Sequence, residues 1–185
     1  MEIWLHPNRR ALSLGMIVPV LGAALGAALM WAGWARTTPW EQLAVALGAV
    51  LLLLHLFLLG GLVWVMRLPR IARVHDEIWF YLAGATPEKV PLDAVEAFLS
   101  GKSASVVGRD RTAEAASIVV RIADRYPDYH ERPVKPSLAT WADGYISIRG
   151  TWCEPITIDL IKSLNRRLNQ ARRNRNATAR AETPG

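Results

Sequence analysis

Two apolar runs constrain the fold of this chain more than any other feature. They cover residues 12–35 and 43–66, are 24 residues each, and contain no Asp, Glu, Lys or Arg. A helix rises about 1.5 Å per residue, so each run would reach about 36 Å, enough to cross a ~30 Å hydrocarbon core. A cleaved signal peptide is disfavoured, because its apolar region would be only about 7–15 residues long. The sequence therefore predicts an N-terminal tail over 1–11 and a two-helix transmembrane hairpin over 12–66.

Arginines near the helix ends predict the topology. They lie outside the hairpin at Arg9, Arg10, Arg67, Arg70 and Arg73, whereas the connection 36–42 carries only Arg36. Lys and Arg are enriched in cytoplasmic loops, so we expect both termini in the cytoplasm and the protein in the inner (cytoplasmic) membrane. The tryptophans predicted to lie near the membrane interfaces are Trp4, Trp31, Trp34, Trp40 and Trp64.

Small residues mark one face of each predicted helix. Gly22 and Gly26 form a G-x-x-x-G pair, which lets another backbone approach closely. The predicted helix-packing residues are Gly22, Gly26, Gly48 and His55 within one chain. The alternative is that this seam joins two copies, which would make the protein a homo-oligomer. His55 is a functional candidate as an ionisable residue at mid-span, but no acid accompanies it, so a bond to a carbonyl of the neighbouring helix is favoured.

One small cytoplasmic domain is predicted over residues 67–173. Strand patterns occur at 74–82, 117–123 and 145–148, and at 89–99, where a helix is the alternative. The polar segment 101–114 and the segment 126–136, which has three prolines, are predicted to be loops. A C-terminal amphipathic helix should begin after Thr157 and place Leu164 and Leu168 on the sheet. Residues 174–185 lack an apolar face and are predicted to be a disordered basic tail.

The predicted fold class is α+β, with a transmembrane hairpin followed by a small antiparallel β domain that the last helix closes. This architecture resembles bacterial two-transmembrane-helix proteins with a cytoplasmic pleckstrin-homology-like (PH-like) domain. The segments that carry the resemblance are the extended stretch 73–82, the 90–95 segment VPLDAV, and the strand at 145–148 with the LNRRL helix at 164–168. The resemblance implies a scaffold or recognition module and assigns no catalytic residue.

No residue pattern indicates a catalytic, cofactor or metal site. Lys102 and Ser103 follow Gly101, but the glycine that a phosphate-binding loop needs five residues before the lysine is missing. One cysteine, Cys153, excludes a cysteine-rich metal site and an internal disulfide. We therefore expect a non-enzymatic protein without a cofactor. The alternative is an enzyme that acts on a lipid or a membrane-embedded substrate through His75, His130 or Cys153.

Partner candidates come from the charges and from one loop. Basic residues beside the membrane indicate anionic lipid headgroups, and the candidates are Arg67, Arg70, Arg73, Arg166, Arg167 and Arg173. Nucleic acid is disfavoured, because no aromatic residues are interleaved with these arginines. In the long loop, Tyr126, Tyr129 and His130 are candidates for binding a protein partner, the alternative being that the tyrosines pack on their own domain. The predicted function is a membrane-anchored scaffold or recognition module that binds a protein or assists a membrane complex.

Overall fold

The computed structural model describes residues 1–34, 38–106 and 112–181. Helices and antiparallel sheet are mixed, so the fold class is α+β, with two apolar N-terminal helices. The chain forms two compact units. Arg9–Arg67 is a helical unit, and Met1–Asn8 joins Leu68–Gly185 in the second unit, which we call the sheet domain.

The helical unit contains α1 (Arg9–Gly15), α2 (Ile17–Gly33) and α3 (Pro39–Arg67). Two stretches, Leu12–Gly33 and Pro39–Arg67, are long and apolar enough to cross a membrane. The break between α1 and α2 follows from Pro19, which has no N–H to donate and whose ring clashes with the carbonyl four residues earlier, at Gly15. Helix α3 begins at Pro39, so the connection is shorter than the predicted 36–42, and residues 35–37 lie outside the described part of the chain.

Helices α2 and α3 meet at the four predicted packing residues. A β-carbon at Gly26 would lie 2.7 Å from the Leu52 nitrogen and 2.8 Å from the Gly48 oxygen. A β-carbon at Gly22 would meet Nε2 of His55, so the imidazole covers this glycine. Nδ1 of His55 lies 2.8 Å from the Leu51 carbonyl oxygen of its own helix, not from the neighbouring helix as the sequence suggested. Glycine is therefore needed at position 26, where a larger residue would meet the backbone of α3, whereas a larger residue at position 22 would have to displace the imidazole of His55.

The sheet domain contains two four-stranded antiparallel sheets. The first has the order β1-β2-β3-β4, with β1 Glu2–Leu5, β2 Ile71–Val74, β3 Glu77–Phe80 and β4 Glu88–Pro91. The second has the order β5-β6-β8-β7, with β5 Val95–Val106, β6 Thr112–Ile122, β7 Ala139–Ala142 and β8 Tyr145–Arg149. Buried side chains from both sheets form one hydrophobic core.

Strand β1 departs from the predicted N-terminal tail over 1–11. Leu5 pairs with Ile71 of β2, so the first residues of the chain belong to the first sheet. Trp4, predicted to lie at a membrane interface, is 2% exposed and meets the Phe98 ring edge-on at 6.2 Å between centroids. The partner strand is more than 60 residues away along the chain, so no local pattern could have indicated this pairing.

The polar segment predicted as a loop over 101–114 is largely strand. Gly101 pairs with Ser117 and Val106 pairs with Thr112, so β5 and β6 continue outward together. Residues 107–111 lie outside the described ranges. Pairing with an established neighbouring strand satisfies the backbone of a segment whose side chains alone give no strand signal.

Helix α4 (Ile158–Ala181) is longer than predicted. Leu164, Leu168 and Ala171 are buried in the core, and the Thr157 hydroxyl accepts a bond from the Leu160 N–H at 3.2 Å. The predicted disordered tail over 174–185 is therefore wrong up to Ala181, and 182–185 are not among the described residues. Ala and Arg favour helix, and Arg175 makes an ion pair with Asp93 at 2.5 Å, which holds the additional turns.

Polar side chains of α4 bind the open edges of both sheets. Oδ1 of Asn165 accepts a hydrogen bond from the Phe98 N–H at 2.9 Å, and Nδ2 of Asn165 donates one to the Phe98 carbonyl oxygen at 2.7 Å. Arg172 donates to the Val95 oxygen of the same edge strand, β5. On the other sheet, Arg167 donates to the Ile3 oxygen of edge strand β1 at 3.0 Å. These bonds satisfy backbone groups that an edge strand would otherwise leave unpaired.

Candidate functional site

Arg70 is part of a buried junction in the sheet domain. Its Nε donates to the Trp152 oxygen at 3.2 Å, and the Asn8 N–H donates to the same oxygen at 3.1 Å. The Arg70 residue is 5% exposed, and burial lowers its pKa from the usual value. The prediction that Arg70 contacts lipid headgroups is therefore wrong, because its charge is enclosed by protein and bonded to a carbonyl.

Cys153 lies in the same junction and has the environment of an unreactive thiol. It is 1% exposed, and its Sγ lies 3.5 Å from the Arg149 oxygen to which it donates. Burial raises the pKa of the Cys153 thiol to about 12, although the nearby Arg70 charge acts in the opposite direction. The thiolate is the nucleophilic form of cysteine, so this side chain stays protonated and unreactive near neutral pH.

The two histidines of the enzyme alternative lie in other surroundings. His75 is exposed in the turn between β2 and β3, where its carbonyl accepts a bond from Arg73 Nε at 2.9 Å. His130 packs against Gly144, and its Nε2 lies 3.3 Å from the Ala123 oxygen. Within the described ranges, no group of three or more His, Cys, Asp or Glu residues could hold a metal ion. The structure gives His75, His130 and Cys153 separate sets of neighbours.

The loop over 126–136 is fixed to the sheet domain through its aromatic residues. Tyr126 and Tyr129 are partly buried against the core, with their ring centroids 6.4 Å apart. The Tyr129 oxygen accepts a bond from Trp141 Nε1 at 2.8 Å. Lys135 N–H donates to the Leu82 oxygen at 3.0 Å. The tyrosines therefore position this loop, while the exposed side chains on it are Pro127, Asp128, Glu131, Pro133, Lys135 and Pro136.

The basic residues proposed as lipid contacts have different surroundings. Arg67 at the end of α3 is exposed, as are Arg166 and Arg173 on α4. Arg73 donates to the His75 carbonyl and Arg167 to the Ile3 carbonyl, so their guanidinium groups are partly engaged. The sequence reasoning missed Lys162, which precedes Arg166 by four residues and is also exposed. Helical spacing along α4 was the signal that could have identified it.

The helical unit presents an apolar surface almost everywhere. In α3 only Gly48 is buried, while Leu53 is 67% and Phe57 80% exposed. A cavity of about 520 Å³ opens on this unit between Ala27, Met30, Trp31, Trp34 and Leu52. Trp31 and Trp34, both predicted near an interface, lie on the surface beside that cavity.

Comparisons with known proteins add no assignment to this geometry. No protein-family model, no curated protein and no solved structure matches the chain.

Proposed function

We propose that this protein is a membrane-anchored, non-enzymatic scaffold or recognition module with a PH-like domain at the cytoplasmic face of the inner membrane. The exposed apolar surface of α3 carries the proposal. A helix that is apolar all round and not buried in protein is stable only in an apolar solvent. At 29 residues, α3 is also long enough to cross a bilayer. Two antiparallel sheets with a C-terminal amphipathic helix support the PH-like assignment.

The two chain segments that make up the sheet domain support the proposed topology. Residues Met1–Asn8 precede the hairpin and Leu68–Gly185 follow it, yet both belong to one folded unit. A folded unit cannot be divided by a bilayer, so the two termini lie on the same side if the hairpin spans the membrane. The arginines that flank the outer ends of the hairpin favour the cytoplasmic side.

Cysteine labelling tests this topology. In intact cells, a membrane-impermeant maleimide should modify Thr38→Cys and should modify Ala177→Cys only after the membrane is opened. Cys153 does not interfere, because it is buried and its pKa is raised to about 12. The unsubstituted protein is the control and should stay unlabelled in both conditions. Labelling of position 177 from outside would refute the cytoplasmic orientation.

Recognition is favoured over catalysis by the surroundings of the candidate reactive groups. Cys153 is kept protonated, and the two histidines have separate neighbours. By contrast, the 126–136 loop is anchored by Tyr126 and Tyr129 and displays charged side chains to solvent. A loop that is already ordered loses little conformational entropy when it binds, so it suits recognition of a protein partner.

Co-purification tests the loop as the partner surface. The combined variant Asp128→Ala, Glu131→Ala and Lys135→Ala removes exposed charges without touching the anchoring tyrosines, so the domain should remain folded. We expect proteins that co-purify with the wild type in mild detergent to be lost, whereas the control Asp159→Ala, Gln170→Ala should retain them. Changing Tyr126, Tyr129 and His130 together to Ser should also lose the partner but lower stability. Unchanged co-purification with the charge variant would remove the loop as the binding surface.

A further inference from the structure

The outward face of α4 carries a line of cations that begins with an exposed aliphatic residue. Lys162, Arg166 and Arg173 are exposed and, at 100° per residue, fall within about 40° of arc. Ile158, one turn before Lys162, is 70% exposed. We call these four residues the α4 stripe, which is about 22 Å long at 1.5 Å per residue. We propose that the α4 stripe docks the sheet domain on an anionic bilayer surface.

The three cations of the stripe differ from three other arginines of α4, whose guanidinium groups are engaged within the sheet domain. Arg167 and Arg172 donate to edge-strand carbonyls, and Arg175 pairs with Asp93. The side chains of Lys162, Arg166 and Arg173 make no hydrogen bond or ion pair to another described residue. Helix α4 has seven basic residues and a single acidic one, Asp159, so little charge on the helix opposes an anionic surface.

Ile158 favours a bilayer over other anionic partners. A bilayer surface offers anionic headgroups to the cations and an apolar region just below them to an aliphatic side chain. An acidic protein gives no equal reason for an exposed isoleucine in line with cations. Nucleic acid is disfavoured because the stripe carries no aromatic residue on which a base could stack. The inference rests on the proposed anchoring, since a hairpin in the membrane keeps the domain at high effective concentration near the lipid.

Fluorescence quenching in proteoliposomes tests the proposal with the full chain. Asn169→Cys places a label on the exposed face of α4, and buried Cys153 stays unlabelled. A bimane attached at position 169 should be quenched by doxyl lipids when phosphatidylglycerol is present, and much less in phosphatidylcholine alone. Quenching should fall as salt rises, because the Debye length shrinks from about 10 Å at 0.1 M to about 3 Å at 1 M.

Two variants that lose the same number of positive charges distinguish an effect of the α4 stripe from an effect of the net charge of the protein. Lys162→Gln, Arg166→Gln and Arg173→Gln together should abolish the phosphatidylglycerol-dependent quenching, with about a fivefold loss in the docked-to-undocked ratio per cation. The matched control Lys89→Gln, Arg121→Gln and Arg125→Gln removes three exposed cations outside α4 and should dock like the wild type. Ile158→Ser should weaken docking but leave its dependence on salt unchanged.

Equal quenching of the stripe variant and the wild type would overturn the proposal, as would an equal loss in the matched control. If phosphatidylglycerol has no effect but the stripe variant loses a co-purifying acidic protein, the stripe binds protein and the lipid assignment is wrong. A chain that inserts into the proteoliposomes but does not respond to lipid contradicts only this inference. A chain that fails to insert contradicts the proposed anchoring itself.

Discussion

Replacing Gly26 by leucine is expected to destabilise the helical unit by about 3 kcal/mol, at the upper end of the cost of overpacking. The first added carbon would lie 2.7 Å from the Leu52 nitrogen and 2.8 Å from the Gly48 oxygen. Both are backbone atoms of α3, so the helix itself has to move away. Thermal unfolding in detergent would measure the loss.

Gly60→Leu is the matched control for this substitution. Gly60 is also a helical glycine in the same unit, but a β-carbon there meets nothing within 4 Å. Its replacement should leave the unfolding temperature nearly unchanged or raise it, because leucine has the higher helix propensity. If Gly26→Leu keeps its stability but abolishes dimers, the seam joins two copies and the packing within one chain is wrong.

Replacing Trp4 by alanine is expected to cost the sheet domain about 3–5 kcal/mol, the usual penalty for removing a large buried aromatic side chain. Trp4 is 2% exposed and packs edge-on against Phe98, so the substitution leaves a cavity between β1 and β5. The full chain would be unfolded with denaturant, and proteolytic cleavage within residues 68–181 would monitor the unfolding. This readout measures the stability of the sheet domain and not that of the hairpin.

Trp4→Phe is the informative control at the same position. Among the described residues, none accepts a hydrogen bond from the buried Trp4 Nε1. Phenylalanine would keep a ring against Phe98 and remove that unpaired donor, so the net change should stay within about 1 kcal/mol. Trp31→Ala, at a position 86% exposed, should leave the sheet domain unaffected. A small effect of Trp4→Ala would mean that β1 is not an integral strand of the domain.

Local sequence patterns were sufficient to predict a feature wherever that feature depends on one continuous segment. The absence of charged residues over 12–35 and 43–66 predicted the two long helices, since apolar length alone decides whether a helix can span a bilayer. The 3.6-residue spacing of Leu164 and Leu168 predicted which face of α4 is buried. The glycines at 22 and 26 predicted a close helix contact, because only the absence of a side chain permits it.

The loop at 126–136 was only half predictable. Its three prolines indicated that it is not a central strand, and the structure has a short 3-10 turn at Pro127–Tyr129 there. Whether its tyrosines face a partner or their own domain depended on the position of the core. Both pack against the core, so the exposed charges beside them became the better candidates for binding.

The sequence by itself determined the apolar hairpin, the mixed α+β composition and the amphipathic C-terminal helix, because each follows from the periodicity or length of one continuous segment. Only the tertiary structure placed residues 2–5 in a sheet with β2, since that pairing joins segments on either side of the hairpin. It also decided which cations remain exposed. Arg70, Arg167 and Arg172 bind carbonyl oxygens that are distant in sequence, while Arg166 and Arg173 face solvent. An arginine looks the same in a sequence whether a carbonyl engages it or not, so long-range contacts had to determine which cations can bind.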